Sequence, residues 1–419
     1  MAENVIYYGP PGTGKTYLLQ KMMSDYIDYD ISDELIKKIY IANSQEWILV
    51  TLILLQNKGK MRPTEIQQRI DCLKLSTTIS AIAVLEAHSM DNILMGITRI
   101  PPCIFFECEE SYWYVDRVRV QQAIPKFFDT YLNGANVECR YAFVTFHQSF
   151  SYEDFVEGIR PEYDKKTNSI DYSPKDGIFK KICKLAKDHP EKTYAMFIDE
   201  INRGNISEIL GELISLIETN KRQGMANELT VTLPYSKASF VVPSNLNIYG
   251  TMNSADRSVG FIDIALRRRF KFIPLMPDAR VIEEEMALSG KNAFDIDGID
   301  VINLFNVMNY RIELLLDRNH LIGHALFVNA KTGNELVAVI RDKVVPLLEE
   351  YFFNDLQKVQ LVFNDLDDTG EMVDDAIYKH ETVSVDNYFT YMGEYLLDDK
   401  KHYYVSKEIT VDSLKHIYG

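Results

Sequence analysis

The octet Gly9-Pro10-Pro11-Gly12-Thr13-Gly14-Lys15-Thr16 constrains this chain more than any other stretch. It fits the spacing G-x-x-x-x-G-K-S/T without a departure. An apolar run, Val5 to Tyr8, precedes it, and a helix is predicted from about Lys15. Strand, glycine-rich turn and helix together are the context a phosphate-binding loop needs. The glycines let backbone N–H groups curl around a polyphosphate, and the helix N-terminus adds a favourable dipole. Gly9 to Thr16 would cradle the nucleotide, with Lys15 neutralising β- and γ-phosphate charge and Thr16 holding Mg2+. Nucleotide binding is therefore expected. The rest of the chain must say what the nucleotide drives.

Beyond the loop, residues 141–275 alternate apolar strands with amphipathic helices, as an α/β domain does. The predicted strands are Ala142–Thr145, Ala195–Ile198, Asn247–Gly250 and Lys271–Pro274. Residues 24–140 separate the first strand–helix unit from the next strand and read as an insertion. Residues 297–356 read as helical. The last sixty or so are acidic and Tyr-rich, without usable periodicity. A length of 419 residues suits two or three domains, and 46% hydrophobic with 25% charged residues is a globular composition. The net charge of −16 argues against a protein that coats nucleic acid with its whole surface. It leaves room for a local basic site or a pore. Residues 41–125 carry 8 Lys/Arg against 9 Asp/Glu, so the acidity lies elsewhere. Five cysteines without CxxC spacing speak against a disulfide framework or structural zinc and fit a reducing cytosol. The N-terminus does not read as a signal peptide, and no run of 18 apolar residues occurs. A soluble, cytoplasmic protein with no membrane partner is expected.

The strand Ala195-Met196-Phe197-Ile198 ends in Asp199 and Glu200. Behind a phosphate loop, Asp199 would complete the Mg2+ shell, directly or through water, and Glu200 would orient or activate the attacking water. A second apolar strand delivers Asn253, whose amide can position water near the γ-phosphate, within Met252-Asn253-Ser254-Ala255-Asp256-Arg257-Ser258. Then comes Ala265-Leu266-Arg267-Arg268-Arg269-Phe270. Three arginines in a row are ordinarily a solvated cluster. Here they also stand where a ring ATPase presents arginines to its neighbour's γ-phosphate, which can accelerate transfer by ~10³–10⁵.

Taken with Thr145-Phe146-His147-Gln148-Ser149-Phe150-Ser151-Tyr152-Glu153-Asp154-Phe155, Glu157-Gly158-Ile159-Arg160-Pro161 and Ile198-Asp199-Glu200-Ile201-Asn202-Arg203-Gly204-Asn205, these strings resemble the McrB-type AAA+ nucleotidases. Those are motor subunits of McrBC-like modification-dependent restriction systems. Ile322-Gly323-His324 and Pro346 to Phe353 look like the family's helical lid. The resemblance covers residues 4–23 and about 141–356. It implies an AAA+ P-loop NTPase core of α/β class with a C-terminal helical lid. It also implies a hexameric ring of identical chains that hydrolyses GTP, with ATP the alternative, and feeds an McrC-like nuclease subunit acting on DNA, probably modified. The implied catalytic set is Lys15, Asp199, Glu200 and Asn253 in cis, with Arg267 and Arg268 and nearby Asp256 at the subunit boundary. Arg269, directly before Phe270, reads as structural. Asn202 and Arg203 would line the approach of the partner's stimulating loop. Asp164-Lys165-Lys166 resembles a hairpin turned towards the ring surface or pore, and His147 and Glu153 read as structural or subunit-contact residues. Ser254 replaces the family's Thr, a change that keeps the hydroxyl.

The family's DNA-reading domain ahead of the phosphate loop has only eight residues in its place here, so the insertion is expected to stand in for it. Glu46–Gln56 reads as a buried helix, Met61–Ile70 as a second with Pro63 at its start, and Thr77–Ala87 as a third. Two β-like runs, Cys103–Cys108 and Tyr112–Val115, follow around Glu109-Glu110-Ser111. Three helices and a hairpin outline a winged-helix-like α+β domain. DNA contact through Lys58, Lys60, Arg62 and Arg69 and protein docking both stay open. The acidic wing tip would repel phosphates. The resulting organisation is 1–23 with 141–280 as nucleotidase core, 24–140 as inserted domain, 281–356 as lid and 357–419 as a C-terminal extension. Asp164-Lys165-Lys166 and Asp398-Asp399-Lys400 have local nuclease spacing but no upstream acid on a strand, so cleavage is assigned to a partner. Two other readings stay in play: an ATP-dependent remodeller of proteins with the insertion as adaptor, and a slow nucleotide-sensing scaffold, which the intact Glu200 argues against.

Overall fold

The computed structural model describes residues 2–76, 78–90, 99–132, 135–164, 169–256, 264–389 and 398–419. They form two compact units. The first comprises Met1–Tyr8, Lys15–Met252 and Arg257–Ile273, and the second Gly9–Gly14, Asn253–Asp256 and Pro274–Gly419.

In the first unit five strands make one sheet: β1 (Asn4–Gly9), β2 (Tyr141–Thr145), β3 (Tyr194–Asp199), β4 (Leu246–Asn253) and β5 (Lys271–Pro274), in the order β5-β1-β4-β3-β2. All four strands predicted between 141 and 275 are there, each within a few residues of its expected bounds. β3 is parallel to β2 and β4, with Ile198 opposite Val144 on one side and Gly250 on the other. Its first five residues are buried, which is the continuous apolar run of a strand covered on both faces. One cover is the helix α2 (Ile178–Asp188), which buries Phe179, Ile182, Cys183 and Ala186, a spacing that fills one helical stripe. Phe155 stacks on Phe179 with ring centres 4.9 Å apart. On the other side lies α1 (Lys15–Met23), whose Leu19 packs with Phe197 and Tyr249.

The insertion has its own apolar core, running from Tyr29 to Leu132. Antiparallel pairing of Ile27–Asp30 with Asn136–Cys139 closes it, and Arg140 clamps Asp28 through two bonds of 2.7 and 3.0 Å. Helix Glu46–Gln56 is buried from Trp47 to Leu55, as expected. Strand Lys60–Met61, helix Pro63–Cys72, helix Ala81–Ala87 and the hairpin Phe105–Cys108 with Tyr112–Val115 follow, the element order of a winged helix. The third helix starts later than expected because Ser80 caps it; Thr77 lies outside the described residues. Helix Asp33–Asn43 was not anticipated. Arg69 is engaged by Asp33 at 2.6 Å and Gln56 at 2.8 Å, with its side chain about a third exposed.

The second unit holds helices α3 (Ala279–Leu288), α4 (Val301–Leu315), α5 (Gly333–Val339), α6 (Val345–Tyr351) and α7 (Gln357–Phe363); a wide turn, Ile340–Val344, joins α5 to α6. The chain then forms a hairpin, Tyr378–Val383 with Lys400–Val405, and helix α8 (Val411–Lys415). Phe363, Ile377, Tyr378, Leu414 and Ile417 share one apolar core with Met308, Phe327 and Leu348. The C-terminal residues are thus packed into the lid's own core. Among the described residues no helix is long and apolar enough to cross a membrane.

Candidate functional site

In the first unit the end of β3 faces the start of α1. Thr16 Oγ1 stands 3.4 and 3.3 Å from the two carboxylate oxygens of Asp199. Lys15 is buried, and that desolvation pushes its ammonium down to about 8 despite the opposing carboxylates of Glu200 and Asp199. A buried ammonium beside two carboxylates is poised to take up anionic oxygen. Thr251 on β4 ties the arrangement together: its hydroxyl donates to Asp199 Oδ1 and accepts the Glu200 backbone N–H at 3.1 Å. Glu200 itself adopts a left-handed backbone, φ 51°, ψ 46°, which costs a non-glycine residue roughly 1–2 kcal/mol. The kink turns the chain out of the strand just where the carboxylate is needed. Arg203 Nε lies 3.4 Å from Glu200 Oε2, and Asn202 is buried behind it.

In the second unit the phosphate loop has Gly12 at φ +75° and Gly14 at φ +74°, backbone that only glycine adopts readily. Thr13 Oγ1 bonds back to the Pro10 carbonyl at 3.0 Å. Gly12 O accepts the N–H of Ala325 at 2.9 Å, and Gly9 O accepts that of Ser254 at 3.0 Å. Asn253 Oδ1 caps Ala255 N at 3.2 Å, and Asp256 is half-buried. His324, between Gly323 and Ala325, accepts the Asp278 N–H at Nδ1, 3.2 Å, and burial keeps its imidazole below the ordinary range. Sequence reasoning noticed Gly323 and His324 but not that they pack on the loop.

The remaining candidates disperse. Arg267 and Arg268 are exposed, while Arg269 is half-buried, its side chain 5% exposed and paired with Glu218 at 2.9 Å, as suits a structural residue. Arg257 and Ser258 of the second signature lie outside the described residues. So do Lys165 and Lys166; the strands Glu157–Asp164 and Ser169–Asp176 on either side pair as a hairpin. Glu153 accepts the Tyr235 hydroxyl at 2.7 Å, a structural bond, and His147 is exposed, edge-on to Phe150. Neighbouring Glu157, which sequence reasoning passed over, is fully buried. It binds Lys180 at 2.7 Å and the N–H groups of Tyr235 and Ser236 at 2.9 Å each.

Two family models match this architecture: an AAA domain of the dynein-related subfamily over residues 129–270, and the McrB alpha-helical lid domain over 300–360. The Type IV methyl-directed restriction enzyme EcoKMcrB subunit of Escherichia coli is 38% identical over 247 residues, 56% of this chain and 52% of that one. The chain is an AAA+ protein of the McrB type. It spans about half the length of that E. coli subunit. This McrB-type chain is also 23% identical to the Type II restriction enzyme BsuMI component YdiS of Bacillus subtilis, over 67% of its own length and 84% of the other's. A solved structure described as a putative ATPase from Cytophaga hutchinsonii aligns at 14% identity over 54% of this chain and 63% of that one, with a TM-score of 0.23.

Proposed function

We propose that this McrB-type chain is the nucleoside-triphosphate-hydrolysing motor of an McrBC-like restriction complex. It would assemble as a hexameric ring, use GTP with Mg2+, drive DNA translocation and activate a separate McrC-like nuclease subunit. The observation that carries the reading is the Lys15–Thr16–Asp199–Glu200–Thr251 constellation of the first unit.

Mg2+ fits these residues. It takes hard oxygen ligands in octahedral geometry at about 2.0–2.1 Å, so neighbouring ligand oxygens stand about 3 Å apart. The Thr16 and Asp199 oxygens, 3.3–3.4 Å apart, are close to that spacing. Bound there, Mg2+ would neutralise β,γ-oxygen charge. Lys15 binds the same oxygens from the loop side. Glu200 accepts a proton from the attacking water as its oxygen bonds to the γ-phosphorus and the β–γ bridge breaks. Asn253 orients that water, and an arginine from the adjoining copy meets the charge that develops. Residues 24–140 form the insertion and 281–356 the lid in this reading, with the insertion presented to DNA or a docking protein.

The test is phosphate release from GTP and ATP side by side, with Glu200→Gln as blank. Expected is a strong GTP preference and stimulation by methylated DNA together with the nuclease partner. Equal or faster ATP turnover, indifferent to DNA, would overturn the restriction assignment in favour of a protein remodeller.

A further inference from the structure

Helix α1 begins with Lys15 and Thr16, and one stripe of it is given over to the insertion. Tyr17, Lys21 and Ser24, the last directly past the helix end, follow the i, i+4, i+7 spacing of a single helical face. All three meet Asp116 or Arg117, the two residues at the junction of the insertion's strand Tyr112–Val115 and the helix Arg117–Ala123. The Tyr17 hydroxyl donates to Asp116 Oδ2 at 3.5 Å, and Lys21 Nζ stands 3.7 Å from the same oxygen. The Ser24 carbonyl accepts from Arg117 Nη1, which also donates to Ile27 O at 3.0 Å. Lys21 Nζ lies 4.6 Å over the Phe106 ring, which stacks on Tyr114 of the same small sheet.

Asp116 is fixed from three sides. Its Oδ1 accepts the N–H groups of Val118 and Arg119 at 3.0 and 3.1 Å, and its own N–H donates to Ile104 O at 2.8 Å. Asp116 and Arg117 are 2% and 7% exposed, so water does not replace the bonds they make. The apolar core of the insertion and the apolar cluster around Leu19 are separate. Directional polar bonds, and not a shared apolar core, therefore set how α1 sits against the insertion. Leu19 holds the helix to the sheet through Phe197 and Tyr249, but apolar contact is non-directional. Rotation and axial position fall to the bonds from Asp116 and Arg117.

We propose that Asp116 is a positioning residue for Mg2+-dependent hydrolysis: through Tyr17 and Lys21 it sets the rotation of α1 and so the stance of Thr16 towards Asp199. The assignment rests on the reading of Lys15, Thr16, Asp199 and Glu200 as a nucleotidase centre. Tyr17 directly follows Thr16, whose hydroxyl lies 3.3–3.4 Å from the Asp199 carboxylate oxygens. Mg2+ tolerates little departure from its preferred ligand geometry, and a shift of about 1 Å in a positioned group can cost about 10²-fold in rate. The insertion is thereby a rate-setting element, because its wing strand runs straight into the residue that holds α1.

The experiment uses the full chain with Asp116→Asn, Tyr17→Phe, Lys21→Met, the double variant of Asp116→Asn with Lys21→Met, and Tyr131→Phe. Asp116→Asn keeps an oxygen for the Val118 and Arg119 N–H groups and removes the charge beside Lys21. Tyr131→Phe deletes a hydrogen bond to Asn43 within the insertion and is the control. Mg2+ is titrated into each protein holding a slowly hydrolysed fluorescent nucleotide, and kcat is measured alongside. Asp116→Asn should lower kcat about tenfold and raise the Mg2+ midpoint about as much, with nucleotide binding in EDTA unchanged. Lys21→Met and Tyr17→Phe should each reproduce part of both shifts. The double variant should fall no further than Asp116→Asn alone, as expected of one shared contact. Tyr131→Phe should lower the melting temperature and leave both readings at wild-type values. If Asp116→Asn and Lys21→Met keep the wild-type kcat and Mg2+ midpoint, Asp116 is only a helix cap and the assignment is overturned. A loss of nucleotide binding in EDTA as large as the loss of kcat overturns it too, because the fault then lies in the whole site. Should Asp116→Asn not fold, Tyr17→Phe and Lys21→Met, the latter at a side chain 41% exposed, decide between the same outcomes. A wild-type chain without Mg2+-dependent hydrolysis sinks the nucleotidase reading and the assignment with it. That result is distinct from a working wild type whose variants are indifferent.

Discussion

Gly323 is where the lid backbone touches the phosphate loop, and substituting alanine there tests whether that contact shapes the nucleotide site. A Cβ on Gly323 would stand 2.1 Å from both Gly12 C and Gly12 O, and 2.4 Å from Pro11 O. Ordinary contact begins near 3.4 Å, so about 1.3 Å must be found. The backbone at Gly323, φ −74° and ψ 145°, is one alanine accepts freely, so the whole effect is steric. Either the loop moves, or segment 323–325 lets go and loses the Ala325 N–H to Gly12 O bond, worth about 1 kcal/mol. The first shifts the loop amides directly; the second removes a bond that holds them in place. A displacement of about 1 Å in positioning groups can cost about 10²-fold in rate. Gly323→Ala is therefore expected to reduce nucleotide turnover about 10²-fold and to weaken binding of a fluorescent nucleotide. Overpacking of this kind costs ~1–3 kcal/mol, so melting should drop by several degrees without loss of the fold. Gly370→Ala is the control: nothing lies within 4 Å of its Cβ, and its φ of +85° brings strain without touching the loop. If Gly323→Ala turns over nucleotide within about threefold of wild type while Gly370→Ala loses as much stability, the loop yields freely and the reasoning is wrong.

Thr251→Val keeps shape but removes the hydroxyl that serves both Asp199 and the Glu200 N–H. Turnover should fall about 10–10²-fold with nucleotide binding retained; equal losses in a binding titration would contradict an orienting role. Glu157→Gln breaks a buried ion pair with Lys180 at the base of the 157–176 hairpin and should cost about 3 kcal/mol, read as a lowered melting temperature. Burial alone would raise the Glu157 carboxyl, but Lys180 and the N–H groups of Ser236 and Tyr235 outweigh it and hold it at about 2. Its contribution is present above its ordinary value of 4.5 and drains away as pH falls towards 2, so Glu157→Gln should flatten acid unfolding in that window. His416 shows the opposite sign. Burial would lower its imidazole, yet Asp365 and Asp375 raise it above 6.5. Its stabilisation is full below 6.5 and is lost as pH climbs through the raised value, so denaturant melts of the wild type should weaken over that climb while His416→Gln stays flat.

Much of the fold could be read in advance because its signals are local. β3 is one apolar run ending in Asp199 and Glu200, and the octet at residues 9–16 sits between a strand and a helix with no residue out of place. The insertion's buried helix announced itself by lacking any polar face between Trp47 and Leu55. The C-terminal region carried no such sign. Its apolar residues, Ile377, Tyr378, Leu414 and Ile417, are spaced by packing into a core shared with the lid, where strand Tyr378–Val383 lies on α7 and α8 on α5, and not by a helical or strand period of their own. One buried carboxylate organises the turn there: Asp365 accepts the N–H groups of Ile377 and Tyr378 and the ring of His416. Nothing in an Asp, a Tyr and a His scattered over fifty-two positions hints at that.

The same distinction runs through the candidate site. Lys15, Thr16, Asp199 and Glu200 belong to strings whose spacing already implies their chemistry. Thr251 does not: a threonine inside a strand is ordinary, and its task exists only because the register of β3 against β4 sets its hydroxyl beside Asp199 and the Glu200 N–H. The arginine run makes the point from the other side. Arg267, Arg268 and Arg269 are chemically identical, and beyond the Phe270 that follows Arg269 the string does not rank them. Their partners do: an aromatic ring for the first, an open cleft shared with Lys221 for the second, the half-buried Glu218 carboxylate for the third. An arginine that must act on another subunit cannot be satisfied within its own. In the proposed ring Arg268 is therefore the first of the three to mutate, because it lines an open cleft while Arg269 is committed to Glu218.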